Sequence, residues 1–446
     1  MPSTLDIEYL DVKTLPRGET VDTVESADGV VGAPPAPLTV KGLPADPNLR
    51  VLALATLVNT LGNGALTTTF ALYFTHVVGL RATQVGLALS VAALVGLLVQ
   101  VPMGHLGDLR GPRELLRVLM IGAGVTSLGL LLTDDIWLLV LVLGVQAVFD
   151  RGGNAVRSGL IARLAEGGQA VRFKAYLRAV TNVGISFGAL LGGLALWVDR
   201  PWAYLTVFAL NAVSFVLASV VVGRLPHIEP APAREEGQPR LQVLRDLPYV
   251  VVTLLTGIFA IHFLVMELAV PLWLATRTSA PKWLVAVVLL INTVAVALFQ
   301  VRLSRGSGSV LPAARTLLVG AGWIAGGFAL IAFASDQPVR LAVVLVCAGA
   351  AVHVVGEMVG SGGQWGVQMG LAPRERQGQY QGFAGMSFSL SGIIAPPLVT
   401  FLCIDWGRPG WFVLGGVILA SGALSIPACA WALRTRERYG VLTHSG

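Results

Sequence analysis

Twelve long apolar runs, each about 19 to 27 residues, constrain this chain more than any other feature. At a rise of 1.5 Å per residue, each run is long enough as a helix to cross a hydrocarbon layer about 30 Å thick. They lie at about 51–75, 83–103, 115–133, 136–158, 174–198, 202–223, 248–274, 283–301, 311–333, 340–362, 379–404 and 410–433. Backbone in lipid must satisfy its own polar groups, so the expected fold is an all-α integral membrane protein with twelve transmembrane helices. Composition agrees, since 54% of the 446 residues are hydrophobic and 13% charged, about half the charge of a soluble domain. Cys347, Cys403 and Cys429 are odd in number and each sits in an apolar run, which excludes a disulfide framework. No Cys or His spacing has the form of a metal or haem motif, so no cofactor or metal is expected.

The 31 Lys and Arg residues exceed the 25 acids, for a net charge of +6. With both termini on the cytoplasmic side, 24 bases fall in the tails and inner loops. Only Arg81, Arg200, Arg277, Lys282, Arg340 and Arg408 fall outside, and Arg151 is left within a helix. That bias is the positive-inside pattern, and it accounts for the basic charge without any nucleic acid. The expected partners are therefore the lipid bilayer, a small-molecule substrate and protons, with the chain acting as a monomer.

The chain divides at residues 224–246, the longest internal gap, with four prolines and both signs of charge. On either side lie six-helix halves, 49–223 and 247–435, flanked by an acidic tail at 1–48 expected to be disordered and cytoplasmic, and by a C-terminal tail at 436–446. The halves repeat. At an offset of 204, Arg172 and Tyr176 match Arg376 and Tyr380, and Gly188, Gly192 and Gly193 match Gly392, Pro396 and Pro397. At an offset of 207, Asp150 matches Glu357 and Gly153 matches Gly360. Helices five and eleven, and four and ten, thus correspond, as in folds whose substrate site lies between duplicated halves.

Between the second and third runs stand Gly104, Asp108, Arg110, Gly111 and Arg113, within Gly-His-Leu-Gly-Asp-Leu-Arg-Gly-Pro-Arg. This stretch resembles motif A of the major facilitator superfamily, with Leu109 where that family usually has a base. The resemblance covers residues 50–435 and implies the superfamily's fold of two pseudo-symmetric halves. Read as a tight turn, the glycines let two helices reverse, and Asp108 can sit against a helix N-terminus or an arginine when the cytoplasmic side is shut. The bland alternative is a capped turn with solvated charges. By the resemblance, Asp150 and its repeat partner Glu357 would pair with the motif A arginines, completing a gate with Arg157. Arg151 resembles motif B of proton-coupled members. An Asp150 ion pair with Arg157 or Arg151 is the structural alternative. Gly184, Gly188, Gly192 and Gly193 on helix five resemble motif C of exporters, with Ala189 in place of its proline, and equally fit ordinary small-residue packing.

Charges buried in a membrane are functional candidates. Glu267 on helix seven is the single carboxylate in the outer half of the apolar region, placed to carry a proton or meet a substrate cation. His262 and His353 are candidates because an unperturbed imidazole can titrate near neutrality, though a lone histidine is more often a hydrogen-bonded core residue. Asn59, Asn63 and Asn292 are the other deep polar groups. No nucleotide-binding loop is present, and the acids do not form an enzyme's constellation. The expected function is therefore export of a small amphipathic, drug-like or natural-product molecule across a bacterial cell membrane by proton-coupled alternating access. Uptake of a sugar or organic anion is the alternative. An enzyme or a channel fits less well.

Overall fold

The computed structural model describes residues 38–40, 42–165, 167–231, 241–304 and 308–439. Twelve helices in it are long and apolar enough to span a membrane. In the first half these are α1 (Pro47–Val77), α2 (Ala82–Arg110), α3 (Pro112–Leu132), α4 (Ile136–Leu164), α5 (Gly168–Val198) and α6 (Pro201–Val222). In the second they are α7 (Leu247–Arg277), α8 (Leu284–Leu303), α9 (Val310–Phe333), α10 (Val339–Leu371), α11 (Arg374–Asp405) and α12 (Arg408–Arg434).

Several helices extend beyond the apolar runs. α1 starts at Pro47 because the Asp46 carboxylate accepts hydrogen bonds from the amides of Asn48 (2.6 Å) and Leu49 (3.3 Å), with proline preset for the first turn. Of the tail expected to be disordered, residues 1–37 lie outside the described residues. Residue 41 lies outside them too; in the rest of the tail Thr39–Val40 (β1) pairs antiparallel with Leu43–Pro44 (β2), and the Tyr176 hydroxyl of α5 donates to the Gly42 carbonyl at 3.1 Å. Within the linker, 232–240 lies outside the described residues, as does 440–446 of the C-terminal tail.

The motif at 104–113 is helix rather than turn. α2 runs unbroken to Arg110, and Gly111 alone, at φ +90°, reverses the chain before Pro112 opens α3. A left-handed φ of this kind explains the glycine at 111; Gly104 is needed for packing instead.

α7 is irregular around Glu267. Regular helix stops at Ala260, a turn at Ile261 intervenes, and Val265–Ala269 form a wider π turn around Glu267. Pro271 explains the widening, since it has no N–H for the Glu267 carbonyl and its ring crowds that position.

The two halves meet along two equivalent seams. α11 packs against α2 and α4, and α5 packs against α8 and α10. Exchanging first-half helices for their repeat partners converts one seam into the other, so the internal repeat is realised as pseudo-twofold symmetry.

Candidate functional site

At the end of the bundle nearest the linker, the first seam closes backbone to backbone. A Cβ on Gly104 of α2 would stand 2.0 Å from the Gly378 carbonyl oxygen of α11, and one on Gly378 would stand 2.3 Å from the Gly104 oxygen. Gly159 of α4 meets the same segment, its Cβ position lying 2.6 Å from the Gly378 Cα.

Asp108 sits beneath this contact, buried. Its Oδ1 accepts the Gly378 amide at 2.9 Å and its Oδ2 the Gln379 amide at 2.8 Å. These are first-turn N–H groups of α11 that have no partner within the helix, at the positive end of its dipole. The Arg163 guanidinium of α4 donates to Asp108 Oδ1 at 2.8 Å and to the Glu375 carbonyl at 2.8 Å. The backbone carbonyl of Asp108 accepts the Ala231 amide of the linker at 2.7 Å. Asp108 therefore joins α2, α4, α11 and the linker in one place.

The pairing expected of the motif A arginines differs. Arg113 bonds Glu114 at 3.1 Å and the Gly223 carbonyl at 2.5 Å, while Arg110 is exposed at the end of α2. Arg163 takes the place at Asp108, and neither Asp150 nor Glu357 reaches this end. Asp150 lies 4.0 Å from Arg151, and Arg157 donates to Asn154 at 2.5 Å. Asn59, Asp150, Asn154 and Arg157 face one small cavity inside the first half, and Asn63 donates to Asn59 at 3.4 Å.

A second polar cluster lies midway along the other seam. The Arg178 guanidinium of α5 is ion-paired with Glu357 of α10 and donates to the Ser361 hydroxyl at 2.9 Å. It also stacks over the Phe263 ring at 4.6 Å. Asn292 of α8 donates to the other Glu357 oxygen at 2.8 Å. His353 precedes Glu357 by one turn, and its Nε2 lies 3.3 Å from His262 Nδ1 on α7. Glu267 is exposed on α7, within electrostatic range of Glu357. One turn before Arg178, Lys174 approaches Gln381 of α11 at 3.4 Å and the Trp365 ring at 5.9 Å.

Arg178 and Lys174 are absent from the residues that charge and motif single out, because the charge count groups them with the inner-loop bases although the fifth apolar run begins at 174. α5 in fact begins at Gly168, which carries Arg178 about 15 Å along the helix. The available signal was the i, i+4 pair of bases, which places both on one face.

Further along α5, Gly184, Gly188 and Gly192 press against α1. Added Cβ atoms would meet Thr60 Oγ1 at 2.1 Å, the Leu61 oxygen at 2.1 Å and the Ala65 oxygen at 2.8 Å. Gly193 does not share this contact; a Cβ there would meet nothing within 4 Å.

At the mouth of the second half, Asp246 caps α7 through the Tyr249 amide (3.2 Å) and accepts the Tyr380 hydroxyl of α11 at 2.9 Å. Burial is the largest influence on its carboxyl and raises its pKa above the usual range, against the lowering effect of these hydrogen bonds.

Comparison with known proteins agrees with this architecture. The family model of the major facilitator superfamily matches residues 52–362. The class G tetracycline resistance protein of Vibrio anguillarum is 26% identical over 357 residues, covering 76% of this chain and 86% of that one. The class B protein of Escherichia coli is 26% identical over 136 residues, 30% of this chain and 34% of that one. Among solved structures, a bacterial homologue of the iron transporter ferroportin in its outward-facing state superposes with a TM-score of 0.64 at 16% identity, covering 87% of this chain and 99% of that one. The human organic anion transporter MFSD10 superposes at 0.63 and 14% identity, covering 85% and 100%. With twelve spans in two equivalent halves and a family match over most of its length, this chain is a membrane transporter, not an enzyme, and belongs to the major facilitator superfamily.

Proposed function

We propose that this transporter exports a small amphipathic molecule across the bacterial cell membrane by proton-coupled alternating access, as a monomer with both termini in the cytoplasm. The observation that carries this reading is the seam at Asp108. One carboxylate joins both halves at the linker end, through the Gly378 and Gln379 amides that reach it across the seam. The positive-inside distribution supports a cytoplasmic place for that end, the end that is shut in this conformation. Distant likeness to tetracycline resistance proteins supports a drug-like substrate. Glu267, a carboxylate exposed on the irregular part of α7, is the residue assigned to proton exchange; Arg151, His262 and His353 are the other candidates.

Transport of an organic anion is the second reading, and Arg178 with Lys174 favours it, since an anion needs a base inside the bundle. Proteoliposomes with a proton gradient separate the two. Accumulation of cationic or neutral amphipathic compounds in exchange for protons, reduced about tenfold or more by Glu267→Gln, supports proton-coupled export. Gradient-independent counterflow of organic anions alone would replace it with the second reading.

A further inference from the structure

His262 and His353 are both fully buried and held by aromatic rings. His262 lies against Phe259 and Phe263, with ring centroids at 4.8 and 4.1 Å, and His353 is stacked on Phe328 at 5.7 Å. His262 Nδ1 is 3.3 Å from His353 Nε2, and His353 Nδ1 is 3.8 Å from Glu357 Oε2, beyond hydrogen-bond reach. The remaining ring nitrogens, His262 Nε2 and His353 Nδ1, are buried without a hydrogen-bond partner. Two imidazoles facing each other share one hydrogen bond and strand the other nitrogen of each, an arrangement that interiors avoid. One donor atom from each of His262, His353 and Glu357 lies within 4.8 Å of the other two.

From this we infer that His262, His353 and Glu357 form a binding site for a divalent first-row transition-metal ion of the zinc class, for which Arg178 is the built-in competitor. Two imidazoles and a carboxylate select such ions over magnesium or calcium. Ligation uses one nitrogen of each ring, which a rotation of the His353 imidazole about Cβ–Cγ supplies. Asn292, whose amide nitrogen now donates to Glu357 Oε2, offers its Oδ1 as a fourth donor after a half-turn of the amide. Arg178 holds the same carboxylate from the other half of the molecule. A dication on Glu357 places two cations on one carboxylate, so metal binding loosens this contact between α5 and α10. The exposed Glu267 adds negative charge nearby. The site rests on His262, His353 and Glu357 and does not depend on the identity of the transported compound.

The test uses full-length protein without an affinity tag, purified in detergent and stripped with a chelator, then dialysed against zinc chloride. One zinc per chain is expected, with none displaced by excess magnesium, and X-ray absorption should show two imidazole nitrogens at about 2.0 Å. His353→Gln and Glu357→Gln should each weaken binding about tenfold or more. Arg178→Gln should tighten it, a gain that misfolding does not produce. Binding below one per chain, or binding unchanged in both ligand variants while they remain monodisperse, would overturn the site. So would Arg178→Gln that leaves the affinity as it was.

Discussion

Asp108 and Gly378, 270 positions apart, are joined by a 2.9 Å hydrogen bond from the Gly378 amide to the Asp108 carboxylate, across the seam between the two halves. The same carboxylate holds Arg163, so its removal leaves a nearly buried guanidinium without its counter-charge. Breaking such a pair from one side costs on the order of 3 kcal/mol. Asp108→Asn should lower the melting temperature in detergent and slow transport about tenfold or more. Spin labels at the linker ends of α2 and α11 should show a longer, broader distance distribution. An unchanged distribution would mean that the contact does not keep that end shut.

The glycines of α5 make a paired prediction. Gly184→Ala drives a methyl group into Thr60 Oγ1, whereas Gly193→Ala adds one to open space. Overpacking of this kind typically costs about 1–3 kcal/mol. The first variant should melt earlier and transport poorly, and the second should match the parent in both. Equal behaviour would show that α1 and α5 separate during the cycle enough to make room.

How much of this was legible in the sequence follows from what each signal reports. Hydropathy sees burial in lipid, so all twelve helices were readable, and the offset between helices five and eleven named the equivalent seams. Asp108 stood out because an acid among glycines is unusual at a helix end. Its partner Arg163 did not, since many bases line that side and contact alone distinguishes them. Arg178 did not stand out either, because its nearness to Arg172 and Lys174 groups it with the inner-loop bases, whereas all three lie on α5. The Asp246 bond to Tyr380 is tertiary, and no local pattern announces it.

Arg178 and Glu357 bind each other from opposite halves, with Glu357 almost wholly buried. Removing either charge strands the other, at about 3–5 kcal/mol, while removing both leaves two neutral amides. Arg178→Gln and Glu357→Gln should each destabilise more than the double variant does. Thermal melts over the four proteins measure the coupling energy directly. Additive losses would show that the pair contributes no coupling to the fold.

Asp246 lies outside the membrane-spanning segments, and its stability effect has a definite sign. Burial raises its folded pKa above the value of about 3.9 for an unfolded Asp. The folded state therefore holds the proton more tightly than the unfolded one. The stability this supplies is complete below the unfolded pKa and is lost as pH rises through the folded pKa. Asp246→Asn keeps a good helix cap and cannot ionise. The melting temperature of the variant minus that of the parent should rise from about pH 4 upward and level off once Asp246 is ionised. A difference that falls with pH would show that the bonds from Tyr249 and Tyr380 outweigh burial and hold the carboxylate charged.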